Sequence, residues 1–174
     1  LVEVPGQGRQ EVIVLLEDRG TVRIDIAYPD GNGTAVQEGA LIQDDFEEIG
    51  TATQSDRGTG AYVPVTVRNT AGSGQQSPAH AFQDAVAQRG FADAYQSQAD
   101  RCGYNSETGE IENSNPCLLL VVDGEVVNSF GMDPGLADSM AAGSWADTGN
   151  FRLTTGEFTE AQTISLNLRA GALP

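Results

Sequence analysis

Cys102 and Cys117 are the two cysteines of this 174-residue chain, and the stretch between them (GYNSETGEIENSNP) is polar and rich in turn formers. Joined, they would close a loop worth about 3 kcal/mol in the chain-entropy picture, in a compartment that permits oxidation. Unjoined, they are two ordinary thiols. A closed zinc site is remote, because one His and two Cys are too few ligands. His80 is the single histidine. A general base needs a nucleophile and an orienting partner beside it, and its place next to Ser77 suits a cap or surface role instead. The carboxylate pairs Asp44/Asp45 and Glu47/Glu48 read as a solvated face.

Gly6-x-Gly8 hints at a dinucleotide loop, but Glu11 stands where the third glycine belongs and would oppose a pyrophosphate. A tight turn is the simpler use. Asp30-Gly31-Asn32-Gly33-Thr34 opens like a calcium loop, yet its twelfth position is Leu41 in place of the bidentate Glu. The same residues form a sequon at Asn32, open either to glycosylation or to service as a plain turn. Gly-x-Ser-x-Gly, Walker and zinc spacings are absent. The sequence carries no catalytic constellation and calls for no cofactor, as expected of a mechanical part.

The elements follow from periodicity. Leu1 to Val4 ends a strand, Pro5 to Gly8 turns, and Val12, Leu15 and Leu16 mark a helix over Gln10 to Asp18. Val22, Ile24 and Ile26 alternate with Arg23 and Asp25 in a strand, which gives a β-α-β unit over residues 1–30. An acidic helical turn is expected over Gln43 to Ile49. Gly60 to Arg68 alternates as a strand, and Pro64 within it predicts an edge. Ser77-Pro78 starts a helix with Phe82 and Val86 on its apolar face, continued by Phe91 and Tyr95. Leu118 to Val122 is apolar throughout, the pattern of a strand buried on both faces. Asp123-Gly124 then predicts a hairpin to Glu125–Phe130, and a loop with Trp145 leads to a strand at Phe151–Leu153. Thr159 and Gln162 predict a capping box for a last helix that buries Ala161, Ile164 and Leu168 and stops at Gly171.

Charge decides the surface. Twenty-five acidic residues face nine basic ones, all Arg, for a net charge of −16. That balance argues against nucleic acid and anionic lipid, which need a basic patch. It fits a halophilic surface, since the Debye length falls to about 3 Å in molar salt and carboxylate repulsion is screened. No run approaches the ~20 apolar residues of a membrane span and no signal peptide is seen. The start within a strand, without Met, suits a soluble segment cut from something longer.

Gly156 to Pro174 (GEFTEAQTISLNLRAGALP) resembles the end of the first extracytoplasmic domain of SecD, an accessory subunit of the Sec translocation machinery. Leu168 to Pro174 reproduce that family's Leu-Arg-Ala-Gly-Ala-Leu-Pro in full. VEVPG at Val2–Gly6 matches its Val-x-x-Pro-Gly strand end, Leu41 to Phe46 its Leu-x-x-x-Asp-Phe stretch, and LLLVVDGEVV at Leu118–Val127 its Asp-Gly hairpin. The cysteine loop and Asn128 to Trp145 depart from the family's text.

The resemblance implies an α+β fold: a partial ferredoxin-like base, with residues 1–30 as its share, and an inserted α+β head lobe over 31–174. It implies a haloarchaeal membrane protein whose extracytoplasmic part helps a preprotein through the Sec channel, driven by an ion gradient. A SecF-like subunit, the channel, unfolded preprotein and flanking membrane helices would be its partners. Candidate polypeptide contacts are Tyr62 on the Gly60–Val67 edge and Val126, Val127, Phe130 and Met132. Hinges are expected at Pro5, Gly6 and Gly171. The competing reading is a secreted or surface-anchored halophilic binding module.

Overall fold

A computed structural model describes residues 22–172 except 32, 56–59 and 98, with side chains to residue 169. The fold is α+β. Strand β1 (Val22–Asp30) turns back as β2 (Gly33–Ile42), and a 3-10 turn at Gln43–Asp45 leads into β3 (Phe46–Ile49), β4 (Thr53–Gln54) and β5 (Ala61–Val67). Helices α1 (Pro78–Gln88) and α2 (Phe91–Ala94) come next, then the small hairpin β6 (Tyr104–Asn105) and β7 (Glu110–Ile111). Strands β8 (Cys117–Val122) and β9 (Glu125–Phe130) precede α3 (Pro134–Ala142), β10 (Asn150–Thr155) and α4 (Phe158–Ala172).

Two antiparallel sheets result, one ordered β2-β1-β8-β9 and the other β10-β5-β3, with β4 also on β5. In the first, β8 is buried on both faces, as its unbroken apolar run requires. Leu118 and Leu120 join the main core; Cys117, Leu119 and Val121 face a second, smaller cluster with Ala27. The Asp123-Gly124 hairpin is present, with positive φ at both residues. In the second sheet Val63, Val65, Phe151 and Leu153 point into the main core. There α4 lays down Ala161, Ile164 and Leu168, all buried. On α1, Phe82 meets the rings of Trp145 and Phe151.

Several expectations need correction. β5 is a central strand, not an edge. Pro64 is tolerated because its carbonyl accepts from Gly50 N–H (2.8 Å) in the break between β3 and β4. There a missing ladder donor leaves nothing unpaired. The helical turn at 43–49 is only one 3-10 turn before strand β3. Helix α4 starts at Phe158, so Thr159 lies inside it, and it runs through Gly171, since a helical glycine costs only about 1 kcal/mol. The loop before Trp145 contains α3, capped by Asp133 with Pro134 in its first turn. Residue 30 is the last of β1, and the helix expected at Gln10–Asp18 lies outside the described residues.

Candidate functional site

Sheet order leaves β9 at the end of one sheet and β10 at the end of the other. Both border one open groove of about 730 Å³. Ser129 to Met132 form one wall and Phe151 to Thr154 another, while Asp133, Pro134 and Leu136 at the start of α3 and residues 100–102 complete it. Phe130 and Met132 are each 7% exposed, so they form an apolar lining continuous with the core. Gly131 lies against Tyr95: a Cβ there would sit 2.8 Å from the ring. Tyr95 is fully buried and donates its hydroxyl to Pro116 O (2.7 Å). Burial, helped by the Asp100 carboxylate, pushes its phenol upward and keeps that donor protonated.

The polar groups of the groove are unequally engaged. One Asp100 oxygen accepts from the Gln96 and Ser97 amides (3.1 and 2.9 Å). One Asp133 oxygen accepts from Gly135 and Leu136 (3.1 and 3.4 Å), the cap that starts α3. Arg101 and Arg152 make no ion pair among the described residues. Arg152 lies over Tyr62, its guanidinium carbon 4.2 Å from the ring centroid.

The structure joins Cys102 to Cys117 (Cα–Cα 5.4 Å). The arm between them folds over the second cluster, where Tyr104 and Ile111 pack, and Ile111 N–H donates to Thr34 Oγ1 (2.8 Å). Cys102 is also a lining residue, so the bridge fixes one wall of the groove. Val126 packs on the same cluster. Val127 is 44% exposed, where the β8–β9 register slips. Tyr62 is on the open face of the second sheet, under Arg152. Of the five contact candidates, the groove brings together Phe130 and Met132 alone. Asn32, Pro5 and Gly6 lie outside the described residues; Gly171 is within α4.

Sequence reasoning missed the rest of the groove. Asp133-Pro134 carries the same start signal as Ser77-Pro78 and could have revealed α3. Nothing local announces that Arg101 and Arg152 line the same groove. Ser77 caps α1, accepting at Oγ from the His80 backbone N–H (3.1 Å), and the His80 ring Nδ1 is 2.5 Å from the same oxygen. Among the described residues, none forms a hydrogen bond to its other ring nitrogen. No group of three His, Cys, Asp or Glu residues is arranged to hold a metal there either. No described helix is long and apolar enough to cross a membrane.

No family model matches the chain. The protein-export membrane protein SecD of Haloferax volcanii is 49% identical over 179 residues, and that of Haloquadratum walsbyi 45% identical over 174. Each match takes in 100% of this chain but only 32% and 31% of the relative, so the chain spans about a third of their length. A solved structure of the membrane component SecDF, which enhances protein export, aligns with 99% of this chain and 74% of its own at a TM-score of 0.50. At 17% identity that is a likeness of fold. The sequence is SecD-like from end to end.

Proposed function

We propose that this SecD-like segment is an extracytoplasmic part of a protein-export subunit and holds an extended preprotein at the β9–β10 groove. The observation that carries the reading is the pair of strand edges on one apolar-lined groove. An unpaired edge offers backbone hydrogen bonds that are indifferent to sequence, as a subunit serving many preproteins requires. The Asn150 carbonyl is already taken by the Trp145 indole (2.7 Å), so the usable part of β10 is Phe151 to Thr154. Phe130, Met132 and Leu153 would receive apolar side chains.

In the whole protein, membrane helices would flank this segment and a SecF-like subunit and the Sec channel would adjoin it. An ion gradient acting through those helices would drive its movement. A partial ferredoxin-like base, including residues 1–30, would turn against the head lobe at Pro5, Gly6 and Gly171.

The test places a photo-crosslinking residue at Ser129 or Thr154 in the full-length membrane protein, with a preprotein arrested in the channel. Both positions line the groove, and crosslinks to the arrested chain are expected. Asp84, on the exposed side of α1, serves as the control. Equal crosslinking at all three positions would remove the groove from the reading.

A further inference from the structure

We propose that the groove prefers extended segments bearing acidic side chains, which Arg101 and Arg152 receive. This rests on the groove being the polypeptide site and names the class of polypeptide it takes.

The argument is an asymmetry among four charged residues. Arg101, Arg152, Asp100 and Asp133 all line the groove, so its formal charge is balanced in a molecule whose net charge is −16. The two carboxylates are each turned back onto two backbone amides. They hold the walls in shape and have part of their accepting capacity used.

Three of the other described arginines are engaged, while Arg169 on α4 is exposed and, like Arg101 and Arg152, without a partner among the described residues, but away from the groove lining. Arg23 pairs with Asp25 (2.8 Å). Arg89 lies 3.8 Å over Tyr28 and donates to Gln37. Arg68 donates to the Asp44 carbonyl. Arg101 and Arg152 form no hydrogen bond through their guanidiniums among the described residues, although carboxylates abound on this surface. The Tyr62 ring sits under Arg152 without using any of its N–H donors. The donor fork is therefore positioned and still free, the geometry that suits a carboxylate.

An extended chain docked on an edge directs alternate side chains to one face. Residues at i and i+2 can then place apolar groups toward Phe130 and Met132 while the intervening ones reach the arginine side. The occupant is an extended acidic segment of another polypeptide.

The 174-residue chain in about 2 M KCl, where long-range fields are screened, isolates the contact effect. Fluorescent peptides of one alternating design, with Glu, Gln or Lys at the polar positions, are titrated against it. The Glu peptide should bind about twofold more tightly than the Gln peptide, the low end of what exposed ion pairs give once salt screens them, with Lys weakest. Arg101→Gln with Arg152→Gln should abolish the difference between the Glu and Gln peptides. Arg169→Gln, on an exposed position of α4, should preserve it. Equal binding of Glu and Gln peptides overturns the acidic preference and leaves the groove reading standing. A Glu preference that survives loss of both arginines also overturns it. Failure of all three peptides to bind sinks the groove reading, and this inference with it.

Discussion

Gly149 needs to be glycine for two separate reasons. Its φ is +68°, in the left-handed region, and a Cβ there would lie 2.3 Å from the Val67 carbonyl oxygen. That oxygen belongs to the strand whose N–H binds Gly149 O (2.8 Å), so neither backbone can withdraw. Gly124 shares the first constraint, with φ +82°, but has open space around it. Gly149→Ala should therefore cost about 3 kcal/mol, as strain and overpacking together, and Gly124→Ala about 1 kcal/mol. Urea midpoints in concentrated KCl measure both; equal losses would mean that the close approach to Val67 is not felt. Asp25 makes a similar point with charge. Its carboxylate is 2% exposed and accepts from Arg23 Nε and from Gly39 N–H, both at 2.8 Å. The second bond fixes the bulge where the β1–β2 register slips. Asp25→Ala strands that amide and should lose about 2 kcal/mol, whereas Asp25→Asn keeps an acceptor and should lose about half as much. If the two variants unfold at the same midpoint, the ion pair and not the amide contact is what matters there.

At the scale of elements, the arm between the cysteines is the piece whose behaviour can be separated from the rest. It contributes Tyr104 and Ile111 to the second cluster and leaves the main core to other residues. Replacing both Cys102 and Cys117 by Ser should lower stability by about 3 kcal/mol in the chain-entropy account. Amide exchange should quicken first at Ile111, whose N–H is held by Thr34, and at Glu112, bonded to Gly103 O (2.9 Å), before β1 or β8 responds. Simultaneous loss of protection in β8 would show that the arm is part of the global unit. Elements of this kind separate what a sequence displays from what it conceals. Strands with one period and one neighbour on either side, β1 and β8, are visible because their side chains alternate or run apolar. β2 was not, since Gly33, Gly39 and two alanines dilute its alternation. Pro64 misled because the edge rule assumes a continuous partner, and β5 has a partner interrupted at the one residue that lacks an N–H. The groove was half legible: Phe130 and Met132 sit in one readable segment. Arg101 and Arg152 are brought near them only by the order of strands in two sheets.

For the molecule as a whole, charge is the term that conditions every other. Twenty-five carboxylates are carried with nine arginines, and among the described residues only Arg23–Asp25 forms an ion pair. The other acidic groups among the described residues form no ion pair; they repel one another, and folding brings them closer. Against that repulsion stand the hydrophobic core and one disulfide. In 0.1 M salt the Debye length is about 10 Å, longer than the spacing of neighbouring surface carboxylates, and near 3 Å in 1 M salt it is shorter than most of them. Raising KCl from about 0.1 M to about 2 M should therefore raise the melting temperature by well over 10 °C, at about 2–4 °C per kcal/mol for a chain of this size. Most of the gain should come below 1 M, where screening changes fastest. Sodium sulfate at equal ionic strength should do somewhat more, because it also strengthens burial of apolar surface. Lowering the pH toward the carboxylate range in dilute salt should partly replace the added salt, since neutralised acids no longer repel. Thermal melts followed by circular dichroism across that grid decide the matter. A melting temperature indifferent to KCl would show that the acidic surface is not what sets this fold's stability. It would remove the physical basis for assigning the chain to a saline environment.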